Sequence, residues 1–337
     1  MSALDTPLAR LLGCRWPILQ AGMGGPARSE LAAAVSAAGG FGFLGMVRES
    51  PELIRREIAA VRDRTDKPFG VNLVPSATDP ALLDEELAAS LEAKVGTFVF
   101  FWDVMPEVTA RAKAAGAKVG WQVGSVADAR AAEAAGADFV IAQGFEAGGH
   151  VRGSVTSLVL LPQVARAVRV PVAGSGGFGS GAALAAALAL GAQGVHCGTA
   201  FLATEESFAH DVHKRRIVQA ASEDTVHTDV FAINWPPRSP VRVLANSVTR
   251  AYEGRLHGHA GGDFPREVVG HEEGRPIYRH ATDSPLRNMT GDFEPMAHFA
   301  GQVAGQVGAI RPAGEVVRAI AAEAEAVLTR LASGAPA

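Results

Sequence analysis

Cysteine is almost missing from this chain: 337 residues hold only Cys14 and Cys197. Two isolated thiols beside apolar sequence exclude a disulfide framework, and a reducing, cytoplasmic location is the expectation. Their placement also rules out a zinc-type spacing. Aromatic residues make up only 6%, and just two of them are tyrosines, Tyr252 and Tyr278. Lysine does not recur after Lys214. Long apolar runs are absent: the longest, Ala182 to Leu190, is far too short to span a membrane. Met1 to Arg15 has no apolar core for a signal peptide. Positive charge is not in excess, since the net charge is -4. That excludes a broad basic face for nucleic acid or anionic membrane.

What is there is an ordinary soluble composition, 48% apolar and 20% charged, with enough chain to bury a large core. Over the first two hundred residues one theme recurs. A short apolar run ends in glycine or a polar residue, and an alanine-rich helical stretch follows. The runs are Pro17–Gly22, Phe41–Met46, Phe69–Val74, Thr97–Trp102, Lys118–Val123, Asp138–Gly144, Val170–Gly174 and Gly194–Phe201. Continuous apolar runs of this length read as strands buried on both faces. The stretches Glu30–Ala38, Pro51–Arg64, Ala81–Ala93, Pro106–Ala115, Ser125–Ala135, Leu158–Val168 and Gly179–Leu190 carry helical period. Ser29, Ser50 and Ser125 are candidate helix caps.

Eight strand–helix units predict a parallel α/β protein, and the count favours a closed (β/α)8 TIM barrel. A doubly wound open sheet is the rival. Gly174-x-Gly176-x-x-Gly179 matches the dinucleotide pattern, but no acidic residue ends the next strand. After Phe201 the rhythm breaks. Residues 1–204 are read as the barrel, 205–298 as a cap segment inserted after strand eight, and 299–337 as the C-terminal helices that close the barrel. Within the cap, His210–Ala221 and Val241–Glu253 read as helices and Gly254–Thr290 as extended loop. A long helix from Pro312 to about Leu331 ends the chain.

In a barrel the chemistry sits at the C-terminal strand ends. Here those ends carry Ala21, Gly22 and Met23; Asn72; Gln122; Gln143 with the loop through Gly148 to His150; Gly176 and Gly177; and Gly198 with Thr199. Three strand-end amides suit a planar ring rich in hydrogen-bonding groups. The loops after strands seven and eight commonly bind phosphate, and their glycines let an anion approach backbone N–H groups. Amides and a phosphate grip together fit FMN. Neither Lys67 nor Lys118 lies at a strand end, which argues against a pyridoxal Schiff base. The strand ends show no carboxylate cluster for a metal and no carboxylate to compete with His150. His196 is expected to offer backbone to phosphate. His210 and His213 read as surface residues, and His227, His257, His259, His271, His280 and His298 as mostly exposed.

The segments PILQAGMGG, PFGVNLV, ADFVIAQGFEAGGH and PVAGSGGFGSGAALAAALALGAQGVHCGTAF, with AGQVAGQVGAI near the end, resemble the nitronate monooxygenases, formerly called 2-nitropropane dioxygenases. Flavin-dependent enoyl-acyl-carrier-protein reductases and certain NADH:quinone reductases share these motifs. The resemblance implies an FMN-bearing barrel. It places flavin contacts at Ala21, Gly22, Met23, Asn72, Gln122, Gln143, Gly148, Gly176, Gly177, His196, Cys197, Gly198 and Thr199, and an active-site base at His150. It implies oxidation of alkyl nitronates, and of nitroalkanes, with molecular oxygen. Two departures stand out. Val151 intervenes before Arg152-Gly153, and the tyrosines and late lysine that hold nitronates in the family are scarce here. NAD(P)H-dependent reduction of an enoyl thioester or quinone is the alternative, and a non-catalytic flavin- or phosphate-binding barrel is a third reading. The expected partners are a small substrate and oxygen, with a homodimer left open; no metal, nucleic acid or membrane is expected.

Overall fold

A computed structural model describes residues 3–334; the flanking residues 1–2 and 335–337, which the sequence reading assigns to the barrel and the closing helices, lie outside them. The inner ring comprises β1 Ile18–Gln20, β2 Gly42–Gly45, β3 Phe69–Leu73, β4 Thr97–Phe101, β5 Lys118–Val123 and β6 Phe139–Gln143. After the two-residue β7 (Gly149–His150), it resumes with β8 Val172–Ser175 and β9 Gly194–Cys197. The eight ring strands are parallel, in the order β1-β9-β8-β6-β5-β4-β3-β2. The ring closes between β1 and β2: the Gln20 N–H donates to the Phe41 carbonyl at 2.9 Å, and the Phe41 N–H to the Ile18 carbonyl at 2.9 Å. The fold is therefore a TIM barrel, and the open-sheet rival is excluded.

Helices clothe the ring because their sequences start and stop on cue. α1 Pro7–Leu12 lies across the N-terminal end, where Leu8 and Leu12 join Phe41, Phe43 and Phe139 inside the barrel. The outer layer holds α2 Ser29–Ala37, α3 Pro51–Arg64, α4 Pro80–Glu92, α5 Pro106–Ala114, α6 Val126–Ala134, α7 Ser157–Ala167 and α8 Gly181–Ala189. Proline occupies the first turn of α3, α4 and α5, where its missing N–H costs nothing. Ser50 and Ser125 cap α3 and α6 as expected. Ser29 does not cap α2: Arg28 holds that position, and the Ser29 N–H donates to the buried Glu57 carboxylate at 2.8 Å.

The chain beyond β9 is less regular. It contains α9 Thr199–Leu202, α10 Asp211–Gln219, β10 Thr225–Thr228, β11 Val241–Leu244, α11 Ser247–Ala251, β12 Val268–Glu272, β13 Arg275–Tyr278 and β14 Met289–Gly291. The expected helix over Val241–Glu253 is instead β11 followed by the short α11. The expected loop over Gly254–Thr290 holds the β12–β13 hairpin, to which β14 adds a third strand. β11 exists because it has partners on both sides, β10 and the β7 segment of the barrel loop. Finally α12 Ala313–Ser333 packs against α8 and α2 and completes the helical layer.

Candidate active site

A cavity of about 630 Å³ opens at the C-terminal mouth of the barrel. That volume lies in the range of sites for cofactors and small ligands. Ala21, Gly22, Met23, Asn72, Gln122, Gln143, Gly148, His150, Gly176, Gly177, His196, Gly198 and Thr199 all line it. Cys197 does not: its thiol is buried in the core, which pushes its pKa up to about 12.

The loop after β8 has the shape of an anion cradle. Gly176 and Gly177 are both at φ +82, the left-handed region that glycine adopts freely. Their N–H groups meet no acceptor among the described residues. A Cβ on Gly177 would meet only the Ser157 Oγ, at 3.4 Å. A Cβ on Gly198 would come no closer than 3.7 Å to Ala21. Consecutive free N–H groups of this kind form a nest for phosphate or a similar anion. Gly148 has a different function. A Cβ there would stand 2.3 Å from the Gly301 nitrogen, so its glycine lets the segment after the cap cross the loop. The Thr199 Oγ1 accepts from the Gly301 N–H at 2.9 Å and ties that crossing to the strand-eight turn.

The strand-end amides divide their work. Gln143 is spent on the loop: its Nε2 donates to the His150 carbonyl at 2.9 Å, and its Oε1 accepts from the Arg152 N–H at 3.0 Å. Asn72 Nδ2 donates to the Val99 carbonyl at 3.0 Å. Gln122 has no such tie among the described residues and is the amide left to face a ligand. Val151 is buried, and its N–H donates to the Pro240 carbonyl at 3.0 Å. That bond extends the β7–β11 pairing by one residue, and the next residue, Arg152, donates its N–H to Gln143.

His150 stands within an aromatic enclosure. Its ring stacks on Trp235 with centroids 3.4 Å apart, with Phe299 at 5.9 Å and Trp102 at 6.1 Å. Nε2 is buried without a hydrogen-bond partner. Desolvation, and then the charge of Arg48, hold the imidazole pKa well below its usual range. His150 is therefore neutral throughout the neutral pH range. His196 is more than a backbone donor: its ring is buried inside the barrel, with Nδ1 3.1 Å from the Ser175 Oγ. Burial pushes its pKa down to about 3.

Other histidines correct the sequence reading. His213, His280 and His298 are buried, not exposed. Carboxylates also reach the cavity, contrary to expectation, but each is engaged. Glu146 accepts from the N–H and Oγ of Ser157, Glu49 pairs with Arg28 at 2.8 Å, and Glu272 and Asp283 both hold Arg275. Two residues at the mouth carry no motif in the sequence: Arg48 and Trp102. Both follow barrel strands, and both carry left-handed φ, +58 and +85, rare for residues with a side chain. Arg48 lines the cavity, and Trp102 contributes to the enclosure of His150. Tyr252 and Tyr278 lie away from the cavity, packed against the Phe231 and Phe264 cluster.

A closed barrel with a glycine anion cradle, a free amide and a neutral histidine at its mouth defines an α/β barrel with a binding site for an anionic ligand. The particular family follows from comparison: a nitronate monooxygenase profile matches residues 5–323, and the chain belongs to that family, within the flavin-dependent oxidoreductases. A nitronate monooxygenase of Paraburkholderia phytofirmans is 31% identical, with 96% of each chain covered. A Mycobacterium tuberculosis protein named as a 5-hydroxy-7a-methyl-1-oxo-octahydro-indene-4-carboxyl-CoA dehydrogenase is 40% identical over 67% of this chain. That match spans only 63% of the relative's own length. The structure of FabK from Thermotoga maritima superposes with a TM-score of 0.81 at 32% identity, covering 98% of this chain and 99% of that one. Among the described residues no helix is long and apolar enough to cross a membrane.

Proposed function

We propose that this chain binds FMN and oxidises alkyl nitronates with molecular oxygen. The observation that carries the reading is His150, a neutral, half-buried imidazole whose buried Nε2 is unpartnered beside a cavity that ends in a glycine anion cradle. Gly176, Gly177, Gly198 and Thr199 would hold the phosphate. Ala21, Gly22, Met23, Asn72, Gln122, Gln143, Gly148, His196 and the Cys197 backbone would surround the rest of the cofactor. When bound, the flavin supplies the electron transfer. The chain's own residues bind, orient and keep water out. Trp102, Trp235 and Phe299 enclose His150 and dry the space beside it. In this reading His150 is the active-site base. Its depressed pKa makes it a weak one, which suits substrates that arrive already deprotonated. Nitronates should therefore outpace neutral nitroalkanes. The segment 205–298, which contributes Trp235, Asp283 and Leu286 to the cavity, would set substrate choice.

A second reading is oxidation or reduction of an acyl thioester or quinone. The similarity to a CoA-ester dehydrogenase favours it, and among the described residues no tyrosine or lysine lines the cavity. Oxygen uptake with a panel of nitronates tests the first reading; no uptake with any of them would sink it. Anaerobic mixing with NADH, and separately with an acyl-CoA, tests the second: rapid bleaching of the flavin by either would replace nitronate oxidation with that chemistry.

A further inference from the structure

We infer that Arg48 forms an anion subsite at the mouth of the cavity, built to take a planar two-oxygen anion such as a nitronate or carboxylate. The nature of the substrate rests on the oxidoreductase reading above; the subsite itself rests on the following geometry.

Arg48 sits in the loop between β2 and α3 and lines the cavity. A guanidinium carries five N–H donors and no acceptor. Here Nη1 donates to the Asn234 carbonyl of the cap, and Arg48 makes no ion pair among the described residues. Burial lowers its pKa from the usual value, so its charge is incompletely solvated. Three of the four acids around it are paired with other arginines. Asp283 binds Arg275 at 2.8 Å and accepts from Asn234 Nδ2 at 3.3 Å. Glu49 binds Arg28 at 2.8 Å. Glu86, fully buried on α4, accepts from the Glu49 N–H at 3.0 Å and from the Arg48 backbone. Glu272 is held by Arg275. A half-buried cation that makes no ion pair, with Asp283, Glu49 and Glu272 each paired to another arginine, can take an incoming counter-ion. A guanidinium fork meets a planar pair of oxygens with two parallel hydrogen bonds.

The loop is shaped to present this charge. Arg48 adopts φ +58, an unfavourable backbone for a side chain of its size. The Glu86 carboxyl under the loop and the Glu49–Arg28 pair beside it hold that conformation. The guanidinium carbon lies 5.2 Å from the Trp235 ring, the same indole that stacks on His150 at 3.4 Å. Arg48, Trp235 and His150 thus line one cavity, and the Trp235 indole contacts both the cation and the imidazole.

Propionate is a suitable probe, since it is a carboxylate with no chemistry of its own. Titration of the flavin-loaded protein should change tryptophan fluorescence, and Trp235→Phe should remove the signal. Arg48→Met should weaken propionate binding roughly ten- to a hundredfold, the loss expected for one charge-assisted pair. Arg48→Lys should recover part of it. Flavin content should not change in either variant. With a nitronate substrate, Arg48→Met should raise KM by a similar factor and change kcat far less. If the wild type shows no propionate binding, or if Arg48→Met binds it equally well, the subsite is overturned, whatever the protein does with nitronates. If Arg48 governs propionate binding but no nitronate is oxidised, the subsite stands and the substrate reading falls.

Discussion

His150 is placed by backbone rather than by its own ring. Gln143 grips its carbonyl, and β7 pairs it opposite Val241, leaving the imidazole free to face the cavity. His150→Asn should therefore retain flavin. A positioned base contributes about 10²–10⁴ in rate, so turnover of neutral nitroalkanes should fall by about that factor. Turnover of pre-formed nitronates should fall much less, because their proton is already gone. Steady-state rates on both substrate forms decide the matter: equal losses would make His150 an anion-positioning group. Gly177 offers a matching test of the cradle. Asp tolerates left-handed φ better than most residues, so Gly177→Asp should fold at a cost of about 1–2 kcal/mol. Its carboxylate would sit against the nest and repel phosphate. The purified variant should be colourless and take up no added FMN; a yellow variant would remove the nest from the cofactor's site. At this scale the sequence was most legible where residue identity is itself chemical, as in the paired glycines and His150. It was least legible where burial depends on distant partners. His213 is buried because its Nε2 meets the Phe299 carbonyl at 3.0 Å, a contact that spans 86 positions.

The repeating elements were readable because each barrel unit is local: an apolar run, a turn, a capped helix, and then the same again. The cap strands were not, because an antiparallel strand is defined by its partners. Val241-Arg242-Val243-Leu244 is short enough to fit either period, and only β10 and β7 on its flanks make it a strand. The last helix shows how closely the outer layer is fitted. The Gly181 N–H, at the start of α8, donates to the Glu323 carboxylate of α12 at 2.7 Å. A Cβ on Gly181 would lie 2.3 Å from the Ala324 nitrogen and 2.5 Å from the Ile320 carbonyl oxygen. These are backbone atoms and cannot rotate away. Gly181→Ala should thus push α12 off α8, at about 1–3 kcal/mol for overpacking. Thermal melting should show a drop of several degrees, with cofactor affinity unchanged at low temperature. An unshifted melting curve would mean that α12 is free to slide.

Over the whole molecule, the mouth and the layer behind it are built on neutral histidines. His196 and His213 are each held down to about 3 by burial. His150 and His298 are also lowered well below their usual range. In the unfolded chain all four should titrate near about 6.5. Below that pH the unfolded state binds protons that the native state refuses, so stability must fall as pH falls. For His196 and His213 the loss continues down to about 3, where the native rings finally protonate. Glu86 works in the opposite sense. Burial raises its pKa to about 8, so its contribution is present below the unfolded carboxyl value and is lost as pH rises through 8. Glu49 is raised by burial as well, so between about pH 4.5 and 6.5 two carboxyls oppose several histidines, and the more numerous histidines win. His213 is the cleanest place to test this, since it lies behind the cavity wall and does not line it. Each such histidine should steepen the dependence by about 1.4 kcal/mol per pH unit below about 6.5. Urea midpoints measured from about pH 7 down to about pH 5, at a fixed concentration of added FMN, should fall for the wild type. His213→Gln keeps a side chain that can still donate to the Phe299 carbonyl but cannot take the second proton in the unfolded state. Its curve should be flatter by about that increment. Parallel curves for the two proteins would show that His213 is protonated in the native state, and that the buried imidazoles are not what makes this fold sensitive to acid.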